Sequence, residues 1–492
     1  MLIICPILFP IIVGIFLLIH RDSRKRETLL WITGISLLIS AVLVVTSLYK
    51  CKGMEQPLFN LTQNLPIKFK VDGISVLFAS IVTIVWVLAG FFSFEYMKHE
   101  NHEKRYYGFY LCVLGVLIGL CFAGNLITFY LLYEMMTLLS LPLVLHNQSH
   151  EAIMAGLKYL LYSLVGAYLG LFGLYMIYHY GTTLDFTPGG VLDPTLIAEH
   201  KSWLLVVAFL MIIGFGVKAG MFPMHAWLPT AHPVAPAPAS AVLSSIIVKA
   251  GVLAIIRVVY YLFGADFLRG TWVQTAWMTL ALITVFMGSM LAYREKVLKK
   301  RLAYSTVSQL SYILFGLSVM NETAMSGAML HVTAHAFIKS VLFLVAGAII
   351  YQTGVTRADE LRGIGKKMPL TIWCYTIVSL GLIGIPPTGG FISKWFLATG
   401  ALEASSASIG IFSWLGPVVL LVSALLTAGY LLPITMGGFF PGKDFDYEKL
   451  EKKEPSVLMW GPILILTVLS VLVGMIPTGL IEYIQTAIAG IF

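Results

Sequence analysis

The sequence predicts an all-α polytopic membrane protein of about 14 transmembrane helices, with two inverted five-helix repeats and with spans seven and twelve broken. Three observations carry this. First, 58% of the 492 residues are hydrophobic and only 11% are charged, where a soluble domain carries about 25% charged residues; mean hydropathy is +0.88. Second, apolar runs of roughly 20 residues recur along the chain, the length a helix needs to cross the hydrocarbon. Helices satisfy their own backbone there, and the alternation of a barrel strand is absent. Third, two of the runs are interrupted. "GFGVKAGMFPMHAWLP" (Gly214 to Pro229) contains Gly220 and Pro223, and "GLIGIPPTGGFISKWFL" (Gly381 to Leu397) contains Pro386, Pro387, Gly389 and Gly390. Proline removes a backbone donor and glycine loosens the turn, so both spans unwind in mid-membrane.

The runs start near residues 2, 28, 73, 107, 125, 157, 203, 236, 273, 302, 326, 369, 412 and 457. The first, "MLIICPILFPIIVGIFLLIH", is followed rather than preceded by basic residues, so it is a span and not a signal peptide. The clearest basic clusters, Arg21–Arg26, Lys98–Arg105, Arg294–Arg301 and Arg357–Lys367, follow spans one, three, nine and eleven. By the positive-inside rule these loops are cytoplasmic and both termini lie outside. The loop Gly181–Lys201 falls outside by the same parity, and the mixed-charge loop Lys443–Glu454 decides nothing. The breaks fall five spans apart. That divides the chain into residues 1–106 (spans one to three), repeats 107–264 and 265–440, and a C-terminal loop and span, 441–492.

Several ionisable groups sit well inside apolar runs: Glu134, Lys218, Lys249, His331, His335, Lys339 and Lys394, with His225 just past the first break. An uncompensated charge at mid-bilayer costs about 2.5–3.5 kcal/mol on insertion scales, so six of them would cost roughly 15–20 kcal/mol. They are expected to face one another or trapped water. His331, His335 and Lys339 recur every four residues and line one helix face over about 12 Å. Histidine titrates near neutral pH, and a buried lysine can shed its proton, so such a stripe is a candidate proton path. The plainer reading, that each group merely ties two helices together, suits one isolated histidine better than six groups on five spans. A metal site at His331 and His335 lacks a third ligand.

The five cysteines show no CxxC pair, and no dinucleotide or phosphate-loop motif occurs, so no cofactor is expected in this chain. The net charge of +8 resides in loops and does not point to nucleic acid. Asp72 is read as the cap of span three, Glu95 as interfacial, and Arg257 and Tyr304 as anchors near helix ends.

These residues resemble a known family. "GFGVKAGMFPMHAWLPTAHPVAPAPASAVLSSIIVKAG", "KKRLAYSTVSQLSY", "HVTAHAFIKSVLFLVAGAII", "GIPPTGGFISKWFL" and "GNLITFYLLYEMMTLLSLPL" are similar to signatures of the antiporter-like subunits of complex I, Mrp antiporters and membrane-bound hydrogenases, nearest to the D-type proteins of Mrp antiporters. The resemblance implies a 14-helix fold with inverted repeats. By position it makes Glu134 and Lys218 an ion pair, Lys249 the connecting lysine, His331, His335 and Lys339 the second-half relay, and Lys394 the terminal charge. Thr230 and Val297 stand where the family often has aspartate. The function expected is that of a proton-translocating, or proton/sodium-exchanging, subunit of a larger cell-membrane complex. Its partners would be other membrane subunits and a hydrogenase or dehydrogenase arm. The alternatives are a self-sufficient sodium/proton antiporter, a membrane partner of inorganic-carbon uptake, and a purely structural anchor.

Overall fold

The computed structural model describes residues 2–20, 25–62, 65–404, 406–443, 445–446 and 453–492. Arg21 and Arg24 of the first basic cluster, and most of the mixed-charge stretch Lys443–Glu454, lie outside the described residues.

The chain is helical almost throughout. Its principal helices are α1 (Cys5–Ile19), α2 (Arg26–Lys50), α3 (Gly73–Tyr96), α4 (Glu103–Phe122), α5 (Leu126–Val144), α6 (His150–Tyr180), α7 (Pro194–Gly216) and α8 (Leu228–Val234). They continue with α9 (Ala237–Phe263), α10 (Trp272–Arg294), α11 (Leu298–Val319), α12 (Glu322–Thr353), α13 (Pro369–Ile383), α14 (Gly389–Glu403), α15 (Phe412–Phe439), α16 (Val457–Met475) and α17 (Thr478–Ile488). Among the described residues, 12 helices are long and apolar enough to cross a membrane, and α1 and α13 are shorter apolar helices. α9 and α12 are buried along nearly their whole length and form the core around which the others pack.

Several helices begin earlier than their apolar runs because a polar cap extends them past the hydrocarbon. The Ser149 hydroxyl accepts the Ala152 amide at 3.2 Å, Asp193 accepts Thr195 at 2.8 Å, and Asn321 accepts Ala324 at 2.8 Å. Asp72 likewise caps α3 through the Ser75 amide at 2.8 Å.

Both expected breaks are present. α7 and α8 are separated by an irregular stretch in which Gly220 has φ +70°, and α13 and α14 by one in which Gly384 has φ +93°. A third irregularity was not expected. α9 contains two π-helical stretches, Leu243–Ile247 and Arg257–Phe263, the first immediately before Lys249.

The connections divide between two faces. Basic loops share one face: Val297 bridges Arg357, the Leu298 amide donates to the Thr356 carbonyl at 2.9 Å, and Tyr351 donates to Glu95 at 3.0 Å. The other face carries an antiparallel hairpin, β1 (Glu55–Thr62) and β2 (Leu65–Lys70), absent from the sequence-based expectation. Asn125 donates to the Pro66 carbonyl at 2.7 Å, and Lys68 is clamped between Glu55 and Asp185. Burial opposes the Lys68 charge, but hydrogen bonds to Asp185 and Glu55 outweigh it and hold its amine above the usual range. Both ends of the described chain meet this face, through Ser47 to the Leu2 carbonyl at 2.6 Å and Tyr483 to the Gly73 carbonyl at 2.9 Å.

Arg257 corrects an expectation. It is no interfacial anchor but only 2% exposed. It pairs with Asp72 at 2.6 Å and lies under the Tyr261 ring at 4.6 Å. An arginine this deep needs a carboxylate partner, and the start of α3 supplies it.

Candidate functional site

The buried polar groups form two clusters. In the first, Lys218 stands on the turn just beyond the end of α7, where the helix stops and its side chain swings toward α6. Its Nζ donates to the Tyr159 hydroxyl at 2.7 Å and to Ser163 Oγ at 3.0 Å, and lies 4.2 Å from the Tyr159 ring centre. Tyr159 in turn bonds Ser140 on α5 at 2.8 Å. Trp227, from the far side of the break, packs on Tyr159 and donates to the Val217 carbonyl at 2.9 Å.

Glu134 departs from expectation. It attracts Lys218 through space, but among the described residues no salt bridge within 4.0 Å joins the two. Among the described residues its buried Oε1 has no hydrogen-bond partner, while the residue as a whole is half-exposed on the flank of α5. The immediate partners of Lys218 are hydroxyls because α6 presents Tyr159 and Ser163 to the break. His225 falls inside the same break. It stacks at 6.0 Å on Phe222, and no hydrogen bond among the described residues joins it to Lys218 or Lys249.

The second cluster is a row. Lys249 Nζ donates to the Ser245 carbonyl of the preceding π-helical turn and meets His335 Nδ1 at 3.1 Å. His335 and His331 stack one helical turn apart on α12, with ring centres 5.9 Å apart. His331 Nδ1 meets Ser393 Oγ on α14 at 2.9 Å, and its Nε2 meets Gln309 Oε1 on α11 at 3.1 Å. Tyr312 stacks on His331 at 5.6 Å, and Lys394 Nζ lies 5.0 Å from the Tyr312 ring centre. Lys394 donates to the Leu382 and Ile383 carbonyls at 2.6 and 2.9 Å. Those are the last carbonyls of α13, left open by the break and carrying the negative end of its dipole. Lys394 is only half-buried and lines a cavity of about 320 Å³ with Trp395, Pro417 and Leu420. Lys339, on the same face of α12, donates to the Leu302 carbonyl at 3.1 Å.

The two clusters meet through backbone. A Cβ on Gly251 would lie 2.8 Å from Lys218 Cβ and 2.7 Å from the Phe215 carbonyl, so glycine lets α9 press against the α7 break. A small void beside Lys249, between Ile246, Ala250, Val332 and Phe78, has about 10 Å³ of free space, close to one water molecule.

Sequence reasoning missed Tyr159, Ser163, Gln309 and Ser393, which are uncharged and common in apolar spans. It also missed His232, fully buried, with neither ring nitrogen hydrogen-bonded among the described residues and its ring 4.8 Å from Phe343. Lys299 read as one charge in a loop cluster, yet it turns inward and donates to the Ala235 carbonyl at 2.6 Å. Among the described residues, no group of three His, Cys, Asp or Glu could hold a metal ion.

Residues 123–420 match the family described as NADH:quinone oxidoreductase/Mrp antiporter, TM, and residues 59–107 match the complex I chain 5 N-terminus. The chain is 34% identical over 360 residues to the N subunit of the NADH-quinone oxidoreductase of Desulforudis audaxviator, covering 73% of this chain and 69% of that protein. It is 27% identical over 485 residues to the D subunit of the Na(+)/H(+) antiporter of Alkalihalophilus pseudofirmus, covering 98% and 95%. A chain of the Mrp complex from Dietzia sp. DQ12-45-1b superposes with a TM-score of 0.85 at 22% identity, over 100% of this chain and 97% of that one. The chain thus belongs to the NADH:quinone oxidoreductase/Mrp antiporter family of polytopic membrane proteins.

Proposed function

We propose that the chain is the proton-translocating, antiporter-like subunit of a multisubunit complex in a bacterial or archaeal cell membrane. The observation that carries this is the Lys249–His335–His331–Ser393 row, which crosses the core from α9 to α14. Glu134 attracts the proton held at Lys218, and weakening that attraction releases it toward Lys249. His335 and His331 pass it on, Lys339 flanks the row, and Lys394 discharges it at the second break. Moving one charge against the membrane field takes about 2.3 kcal/mol per 100 mV. A change of one or two pKa units, at about 1.36 kcal/mol each, is of the same order, so altering the through-space attraction between Glu134 and Lys218 suffices.

The breaks five helices apart support two five-helix repeats, residues 107–264 and 265–440, within about 14 crossings. Basic loops sharing one face support a cytoplasmic placement of that face, with both ends outside. Relatives named as Na(+)/H(+) antiporter and quinone oxidoreductase subunits support partner membrane subunits and a redox or antiporter assembly. A self-sufficient sodium exchanger ranks lower, because a hard cation needs several oxygens and Glu134 is the one carboxylate in the row of candidates. Partnership with an inorganic-carbon uptake protein ranks below that.

The test is Lys218→Ala in the native complex, assayed in inverted vesicles. Proton translocation should stop while the complex still assembles. Near-normal pumping by the assembled variant refutes the reading.

A further inference from the structure

We infer that a column of hydroxyl groups between α10, α11 and α15 is a second proton route, joining the basic-loop face to Lys394 and His331. It rests on the proton-translocation reading above and adds a branch that the charged residues do not reveal.

The column starts at a cavity of about 220 Å³ on the basic-loop face, lined by Arg301, Asp359, Arg362, Pro433, Ile434 and Gly437. Arg301 spans from this cavity to the Tyr430 carbonyl at 3.0 Å. The Tyr430 hydroxyl meets Ser305 Oγ at 2.7 Å and donates to Thr427 Oγ1 at 3.3 Å. One turn deeper, Ser423 Oγ meets Ser289 Oγ at 2.6 Å and Ser308 Oγ at 3.3 Å, and Ser289 meets Ser308 at 2.8 Å. One turn deeper again lies Tyr312, whose hydroxyl donates to the Leu420 carbonyl at 2.7 Å. Its ring contacts both His331, with ring centres 5.6 Å apart, and Lys394, whose Nζ lies 5.0 Å from its centre. All seven hydroxyl-bearing residues are buried.

Two features separate this column from ordinary packing. A lone serine or threonine in an apolar helix satisfies itself on the carbonyl four residues back, as Thr333 and Ser340 do on α12. Ser289, Ser308 and Ser423 instead face each other across three helices. And the column has functional ends, a polar cavity with an arginine at one and two titratable groups at the other. Tyr430, Thr427 and Ser423 share one face of α15, and Ser305, Ser308 and Tyr312 one face of α11. The groups thus recur about once per helical turn, and the route requires a bridging water at each step where no two hydroxyls touch. Ser308, Thr427 and Tyr312 now donate to the Val285, Ser423 and Leu420 carbonyls, so passage requires these hydroxyls to turn toward the next hydroxyl or a bridging water. Each then accepts a proton on its oxygen while releasing the one it held, so no charge or bond is left behind.

The experiment uses the native complex in inverted vesicles, comparing Tyr430→Phe, Ser423→Ala, the control Ser311→Ala and Lys218→Ala. Ser311 carries a buried hydroxyl of α11, outside the column and with no hydrogen-bond partner among the described residues. Tyr430→Phe and Ser423→Ala should each slow proton translocation several-fold, and their combination no further than the worse single variant. Ser311→Ala should pump as wild type. Wild-type pumping by both column variants, with Lys218→Ala silent, overturns the branch alone; wild-type pumping by Lys218→Ala overturns the axis and the branch together. Should a column variant fail to assemble, Ser305→Cys in a cysteine-free background replaces it. That thiol should react with a small water-soluble thiosulfonate from the basic-loop face, and a thiol that stays unreactive from that face overturns the branch.

Discussion

Alanine at Gly251 is the most local test of how the two clusters are joined. A methyl group there would sit 2.7 Å from the Phe215 carbonyl oxygen and 2.8 Å from both the Ala219 amide nitrogen and Lys218 Cβ. None of these atoms is the far end of a flexible side chain, so the helices themselves must separate. Reaching ordinary contact at 3.4 Å from 2.7 Å needs a shift of about 0.7 Å between α9 and the α7 break. Overpacking of this kind typically costs about 1–3 kcal/mol. The functional effect should exceed the structural one, because misplacing reacting groups by ~1 Å can cost on the order of 100-fold. We expect Gly251→Ala to assemble with a lowered unfolding temperature and to lose about tenfold or more of its proton translocation per assembled complex. Gly461 is the control: it lies inside α16, where a Cβ would meet no other helix of the described residues within 4 Å. Gly461→Ala should therefore leave transport unchanged and stability equal or slightly raised. If Gly251→Ala is as stable and as active as the wild type, the close approach of α9 to the break does not couple Lys218 to Lys249.

Two further outcomes follow from charges away from the axis. Asp72→Asn keeps the cap on α3 but strands a guanidinium that is 2% exposed, so it should destabilise the purified protein by about 3 kcal/mol. Arg257→Met should cost less, since Asp72 is partly exposed, and the double variant should cost less than the two singles together; strict additivity in thermal unfolding would show that the pair is not coupled. Burial pushes the Glu295 carboxyl up, but the Val297 amide, Lys300 and the Lys296 amide outweigh it and hold it below the usual glutamate range. A lowered folded-state value means its contribution is complete above that range and lost as pH falls through it. Proteolytic nicking of the α10–α11 connection should therefore stay flat from neutral to mildly acidic pH and then rise, and Glu295→Gln should abolish that pH step.

The legible part of this protein was whatever the bilayer enforces locally. A span must be long and apolar, so the helices could be placed from composition; a proline–glycine cluster cannot continue a helix, so both breaks were visible at Gly220–Pro223 and Pro386–Gly390. A charge in hydrocarbon is costly wherever it points, so Lys218, Lys249, His331, His335, Lys339 and Lys394 were identifiable without neighbours. The hairpin Glu55–Lys70 was not legible because its strands pair with one another and brace on Asn125 and Asp185, contacts that leave no periodic mark. The C-terminal helix α17 was missed because it is amphipathic and too short to span.

The order of the site belongs to the tertiary structure alone. Composition placed Glu134 on span five and Lys218 on span seven, but only the fold put hydroxyls of α5 and α6 around the lysine and left the carboxylate on a flank. Lys299 and Arg257 looked like surface charges until the packing turned both inward. The hydroxyl column could not be seen at all, since serine and threonine are cheap enough in a helix to appear anywhere. The physical reason is one of cost: the sequence by itself reveals groups that are expensive in every environment, whereas groups that are inexpensive alone acquire meaning only from the partners that long-range packing brings within hydrogen-bonding distance.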